Sequence, residues 1–358
     1  MPVSISGTNG VTFPDSSLQA SAASPNVLKN RLVNGSFGIA QRGTSFTSTS
    51  SLNNDDTYNL DRWFVLSDGN DVVDITQETS TVPTNELTAI ALDVETINKK
   101  FGIAQIIEQV NCIGAIGNTV TLSFQAKVSA TTKLDNVKCA IVAWSGTADT
   151  VTSDIISAWG AEGTNPTLIA NATYENTPVN LNLTTSYATY SVSAAVDTAS
   201  TKNIIVFIWS DVTDTTLGDF LYITNVQLEV GSTATPFERR LYNQELANCQ
   251  RYFEKSYNID VTPATVTMIG SVNTNAAGAI SNRPFWFCKF NVSKRATPTV
   301  TIYSPNSGTT GKVGGPSAVD YSGTTVYSSM HGFQVYQSQT TAVADGDYYC
   351  QWAVTAEL

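Results

Sequence analysis

Histidine occurs once in this chain, at His331, and charged residues make up only 14% of it, against roughly a quarter in an ordinary soluble protein. Each shortage removes a class of function. One imidazole cannot build a histidine-ligated zinc site. A Ser-His-Asp system would have to use His331, and no nucleophile elbow accompanies it. In "SSMHGFQV" this residue reads as a loop or surface position. Basic residues number 19 against 30 acidic ones, a formal net charge of -11. An acidic chain without basic clusters is repelled by phosphate backbones and by anionic membrane surfaces, which argues against nucleic acid as a partner. No apolar stretch is long enough to span a bilayer, so no membrane insertion is expected. The start, "MPVSISGTNG", lacks the basic-then-apolar pattern of a secretory signal.

Cysteine is scarce as well. Cys112, Cys139, Cys249, Cys288 and Cys350 are odd in number, and no two stand at metal-ligand spacing. Apolar neighbours mark them as reduced core thiols, in keeping with assembly in a reducing cytoplasm. The glycine clusters "GTTGKVGG" and "VNGSFG" lack the strand-to-helix setting of a phosphate-binding loop.

What is abundant is Thr, Ser, Asn and Gly between alternating apolar runs. In "TVTLSFQAKV", Val120, Leu122, Phe124, Ala126 and Val128 form one face of a strand. "NIIVFIWS" is continuously apolar, as a strand covered on both faces would be. "LYITNVQLEV" places Tyr222, Thr224, Val226, Leu228 and Val230 on one side. Many short strands between Gly/Asn/Asp/Ser turns predict an all-β chain with a sandwich of jelly-roll type over residues 26–236. A second, smaller β-sandwich is expected over 256–358, from "FWFCKFNV", "TPTVTIYSP", "GFQVYQS" and "YYCQWAV". Between them, 237–255 reads as a rigid helical linker. Asn243 is its expected N-cap, and Tyr242, Leu246, Cys249 and Phe253 form its apolar stripe. The Gly/Ser-rich stretch from Ser304 to Thr325 reads as a long loop.

Residues 1–25 contain strands too short to bury a face within one chain. Val3, Ile5, Val11, Phe13 and Leu18 either belong to a free tail or bury themselves against copies in an intertwined stem. The stem is the reading adopted, as a trimerisation and attachment segment.

Sugar binding needs flat aromatic faces for C–H groups and neutral amides or carboxylates for hydroxyls. Trp144 and Trp159, with Asp154 and Asn165 near them in sequence, are the candidates in the first β-domain. Tyr321, Tyr327 and His331 are the candidates on a distal surface of the second. Trp63, Trp209 and Trp352 read as core. Glycoside hydrolysis would need two facing carboxylates. Asp55, Asp56, Asp61, Asp149, Asp154, Asp211, Asp214 and Asp219 sit mostly where Asp caps turns. Arg239 and Arg240 either pair with acids or are solvated.

The segments "NRLVNGSFGIAQRGTSF", "DRW" and "YITNVQLEVGSTATPFERRLYNQELANCQRYF" together resemble a module of tail fibres and related virion proteins of tailed bacteriophages. The final third is similar to the small β-domain that often follows it, and "GTNGVTFPDSSLQ" to the opening repeats of such fibres. The resemblance implies a homotrimeric receptor-binding virion protein, assembled in the host cytoplasm. It would contact other tail or virion proteins through its N-terminus and a host surface glycan through a jelly roll like those of carbohydrate-binding modules. Those modules often hold a structural calcium through backbone oxygens near the "NGSF" strand and an acidic residue in the last strand. Here that strand reads Ile223-Thr224-Asn225-Val226, without the carboxylate, although Asn225 could still offer an oxygen; no cofactor is expected, with a structural calcium as the alternative. No catalysis is expected either. The alternatives are a capsid- or tail-decorating assembly protein without receptor affinity, and a capsule or lipopolysaccharide depolymerase.

Overall fold

A computed structural model describes residues 4–6, 10–12, 18–19, 28–49, 51–198, 200–276, 285–337 and 346–358. The protein is all-β in architecture. Its largest part is a sandwich of two antiparallel sheets. One has five strands in the order Ala172–Tyr174, Val137–Trp144, Asn203–Ser210, Phe101–Ile107, Phe64–Ser67. The other has six, in the order Ala188–Ala195, Thr119–Val128, Phe220–Val230, Ala89–Val94, Val73–Glu78, Ser45–Phe46.

The alternation in Thr119–Val128 works as expected. Val120, Leu122, Phe124, Ala126 and Val128 enter the core between the sheets. Asn203–Ser210 is buried along its whole length. Ile204, Val206 and Ile208 face the inter-sheet core, while Ile205, Phe207 and Trp209 belong to a second core on the other face of the five-stranded sheet. That second core is closed by residues 145–175 and by Leu358.

Phe220–Val230 departs from the expected single face. An extra residue bulges the strand between Thr224 and Gln227, with Asn225 at φ 54°. One inserted residue reverses the period-two alternation. Leu221 and Ile223 therefore point inward before the bulge, and Val226 and Leu228 after it. The bulge receives the "NGSF" turn: Val226 N–H donates to Gly35 O at 2.8 Å. A Cβ on Gly35 would lie 2.1 Å from Val226 O, so only glycine permits this approach.

The helix spans Tyr242–Gln250, shorter than the expected linker. Leu241, not Asn243, is its N-cap, and no side chain caps it. Of the predicted stripe, Cys249 and Phe253 are buried, while Tyr242 is exposed. Phe253–Lys255 already pairs with Gly346–Thr355 of the C-terminal unit. That unit is organised around Gly346–Thr355, which also pairs with Val272–Ala276 and Thr299–Tyr303. Trp286, Cys288, Phe333, Val335, Tyr348 and Trp352 fill its core. The stretch expected as a long loop contains Lys312–Gly314 and most of the ten-residue strand Asp320–Ser329. All five cysteines are free and buried.

Ser4–Ser6, Gly10–Thr12 and Leu18–Gln19 form a separate three-stranded antiparallel sheet. Ile5, Val11 and Leu18 lie in these strands; Val3 and Phe13 lie outside the described residues.

Candidate functional site

Of the predicted aromatic platform, Trp144 is turned inward and Trp159 is half-buried. Trp144 is 8% exposed, and its indole N–H donates to Thr147 O at 3.0 Å. Trp159 packs edge-on against Phe207, centroids 6.0 Å apart. Asn165 Oδ1 accepts from Lys138 Nζ at 3.0 Å. Lys100 Nζ donates to Ala161 O at 2.7 Å and Thr164 O at 3.1 Å, and both lysines pair with the fully buried Asp211. The segment carrying Trp159 and Asn165 is thus fastened onto the sheet by two buried ammonium groups. Trp144 is thereby taken up by the core, while Trp159 and Asn165 stay half-buried on the cover. The physical reason is the second core, which needs a cover.

Asp154 stays exposed and lies near Asp55 and Asp56. Burial, with Asp55 and Asp154 adding to it, pushes the Asp56 carboxyl up to about 7. In the C-terminal unit Tyr321 stands apart from Tyr327, and Tyr327 and His331 are both exposed on either side of one hairpin turn. Tyr321 packs against Tyr348, centroids 5.3 Å apart, while Tyr327 is 80% exposed six residues further along the same strand. At about 3.3 Å per residue the two stand about 20 Å apart. His331 lies in an exposed turn, its Nδ1 2.9 Å from Ser293 Oγ.

The segments that carry the family resemblance do meet, and most of their polar groups are consumed in structure. Asn34, in the left-handed region at φ 58°, is a hub. Its Nδ2 donates to Ile39 O at 2.8 Å and Asp61 O at 3.0 Å. Its backbone N–H donates to the Glu245 carboxylate, and its carbonyl accepts from Trp63 Nε1 at 3.0 Å. Arg240 donates to Leu32 O at 2.9 Å and pairs with Glu245 at 3.2 Å; Arg239 pairs with Glu86. Both arginines are therefore ion-paired.

Around this hub the "NGSF" turn, the loop Glu86–Leu87–Thr88 and the helix entry leave a pocket of about 300 Å³. Phe237, the half-exposed Tyr242 and the exposed Leu87 supply apolar walls. Ser36, Thr88, Glu86 and Arg239 supply hydroxyls, a carboxylate and a guanidinium. None of these was singled out as a ligand group from the sequence. "FERRLY" was visible, but only as the approach to a helix. The volume reaches the range of small-ligand sites, with room for one sugar residue.

Asn225 Nδ2 donates to Glu86 Oε1 at 2.7 Å and Gln125 Oε1 at 2.8 Å, while its Oδ1, the atom that would face a cation, is buried and has no hydrogen-bond partner among the described residues. Among the described residues no group of three or more His, Cys, Asp or Glu could hold a metal ion. Nor is any described helix long and apolar enough to cross a membrane.

No protein-family model and no curated protein matches the chain. Among solved structures, the enzymatically active domain of bacteriophage CBA120 tailspike protein 4 is 17% identical, over 56% of this chain and 21% of that one, at TM-score 0.32. The match thus spans about a fifth of the tailspike chain. TmCBM61 in complex with beta-1,4-galactotriose is 13% identical over 57% of this chain and 99% of that one, at TM-score 0.29. The CBM22-1 xylan-binding domain from Paenibacillus barcinonensis Xyn10C is 12% identical over 59% and 100%, at TM-score 0.29. Likenesses at these TM-scores do not bear on function.

Proposed function

We propose that the protein is a non-catalytic component of a virion fibre, held to the particle as a homotrimer through its N-terminal segment, and that it recognises a host surface glycan in the pocket beside the helix. The observation that carries the glycan reading is the lining of that pocket. Phe237 and Tyr242 offer aromatic surface to the C–H face of a pyranose, and Glu86, Arg239, Ser36 and Thr88 offer partners to its hydroxyls. A single small polar pocket binds weakly, and three copies on one fibre multiply the effect through effective concentration. The virion assignment is supported by the sequence resemblance. The three short N-terminal strands, which are marginal in isolation, also favour association with copies.

The test is binding of the full chain to a panel of bacterial surface polysaccharides, by affinity electrophoresis. The expected result is retardation by at least one of them, lost about tenfold in Tyr242→Ala with the melting temperature unchanged. A folded protein retarded by none, or equally by the variant, would remove the pocket from the account.

A further inference from the structure

The cover of the second core is pinned at a cluster whose charges do not balance. Lys100 and Lys138 bring two ammonium groups, and Asp211 brings one carboxylate. All three are buried, Asp211 completely, and among the described residues neither lysine pairs with any other acid. A buried charge without a counter-charge is costly, so a change that removes the surplus is favoured. Lys138 stands opposite Trp209 in register, and the fully buried Trp209 stacks on Phe207, centroids 4.4 Å apart. Side chains directly opposite across strands are neighbours, so the surplus cation lies beside apolar rings that keep water away.

This cation also faces an amide. Lys138 Nζ lies 2.6 Å from Asp211 Oδ2 and donates to Asn165 Oδ1 at 3.0 Å. A carbonyl bond is about 1.2 Å long, so Asn165 Cγ stands within about 4 Å of Nζ. That approaches the separation from which positioned groups react. Asn165 is fixed from both sides. Lys100 Nζ donates to Thr164 O at 3.1 Å, and Tyr174 OH donates to Pro166 O at 2.8 Å. Asn165 Nδ2 donates to no described residue, and Asn165 is half-buried. The amide is therefore free to turn its face toward Nζ, and its nitrogen has a path to solvent.

We propose that Lys138 and Asn165 join through an amide bond, with Asp211 carrying the protons. Asp211 takes a proton from the Lys138 ammonium, and the freed Nζ lone pair attacks Asn165 Cγ while the carbonyl π pair moves to Oδ1. Asp211 hands the proton to Nδ2, the Cγ–Nδ2 bond breaks with its electron pair on nitrogen, and the carbonyl re-forms. One more Nζ proton follows through Asp211. The products are a secondary amide, an ammonium ion and Asp211 again as carboxylate; no oxidant, reductant or further reactant enters. The surplus positive charge departs with the ammonium ion, and Lys100 and Asp211 remain as a balanced pair. The bond ties the cover to the five-stranded sheet and stands apart from the pocket beside the helix.

The experiment is mass spectrometry of the purified full chain, intact and after digestion. The expected result is an intact mass lower than that of the sequence by one ammonia molecule, and a branched peptide joining Lys138 to Asn165. Both are expected to vanish in Asn165→Ala and in Asp211→Ala. Because Asp211 also anchors Lys100, melting temperatures are measured alongside. If Asp211→Ala unfolds, Asn165→Ala, at a half-buried position, carries the test. An intact mass with no ammonia missing overturns the inference. So does a loss of water in place of ammonia, which places the bond on the Asp211 carboxyl, and so does an ammonia loss that persists in Asn165→Ala.

Discussion

Asp56 shows how a single residue can hold a cost that the fold tolerates. It sits in the left-handed region at φ 61°, a conformation that Asp and Asn adopt more readily than other side chains. Burial first, then Asp55 and Asp154, lift its carboxyl to about 7 from an ordinary value of 3.8. The folded state therefore binds the proton more tightly than the unfolded one. Its contribution is most favourable below about pH 4 and is lost as pH rises through 7. Asp56→Asn keeps the backbone preference and removes the charge. The group is about half buried, so solvent screening cuts the effect, and a gain of roughly 1 kcal/mol at pH 8 is expected, with none at pH 4. Urea unfolding at the two pH values measures it. An equal change at both would mean that the charge is not the cause.

At the scale of elements, the cover over the second core shows where sequence reading succeeds and where it stops. The burial of both faces of Asn203–Ser210 was legible, because its eight residues are apolar nearly throughout. What covers the outer face was not legible. Lys100, Lys138 and Asp211 lie far apart in sequence, and no spacing links them, yet Lys100 and Asp211 are at most 1% exposed. The bulge at Asn225 was hidden for a similar reason: it is set by the partner strand and the approach of Gly35, not by local alternation. The pocket beside the helix is assembled from three distant segments, so no spacing rule marks it. Breaking a buried ion pair while leaving the other charge in place costs about 3 kcal/mol or more. Lys100→Met should lower the stability of the sandwich by about that amount, read from the denaturation midpoint. It should also free residues 159–164, seen as a red-shifted tryptophan emission from Trp159. A stable variant with unshifted emission would show that the apolar cover holds without its lysine anchor.

Across the whole molecule, the helix is a small part of what joins the two β-units. Arg62, 1% exposed, donates to Ile106 O at 2.5 Å, pairs with Glu357, and lies 3.7 Å over the Tyr252 ring. Arg251 makes two hydrogen bonds to Glu108, at 2.7 and 2.9 Å, and Tyr252 OH adds a third at 3.0 Å. Tyr58 OH donates to Leu358 O at 2.8 Å, and the Leu358 side chain joins the second core of the sandwich. Residues of the C-terminal unit therefore complete the first unit, and the two are expected to unfold together. Glu357→Ala leaves Arg62 buried without its carboxylate and Arg42 without its closest acceptor. Uncompensated buried charge of this kind costs about 3–5 kcal/mol, enough to prise the units apart before either core melts. Differential scanning calorimetry should show one transition for the parent chain and two for Glu357→Ala, the earlier belonging to the unit that has lost its partner. Two transitions in the parent would mean that the junction is a contact between independent domains. One shifted transition in the variant would mean that the Glu108 cluster alone suffices to couple them.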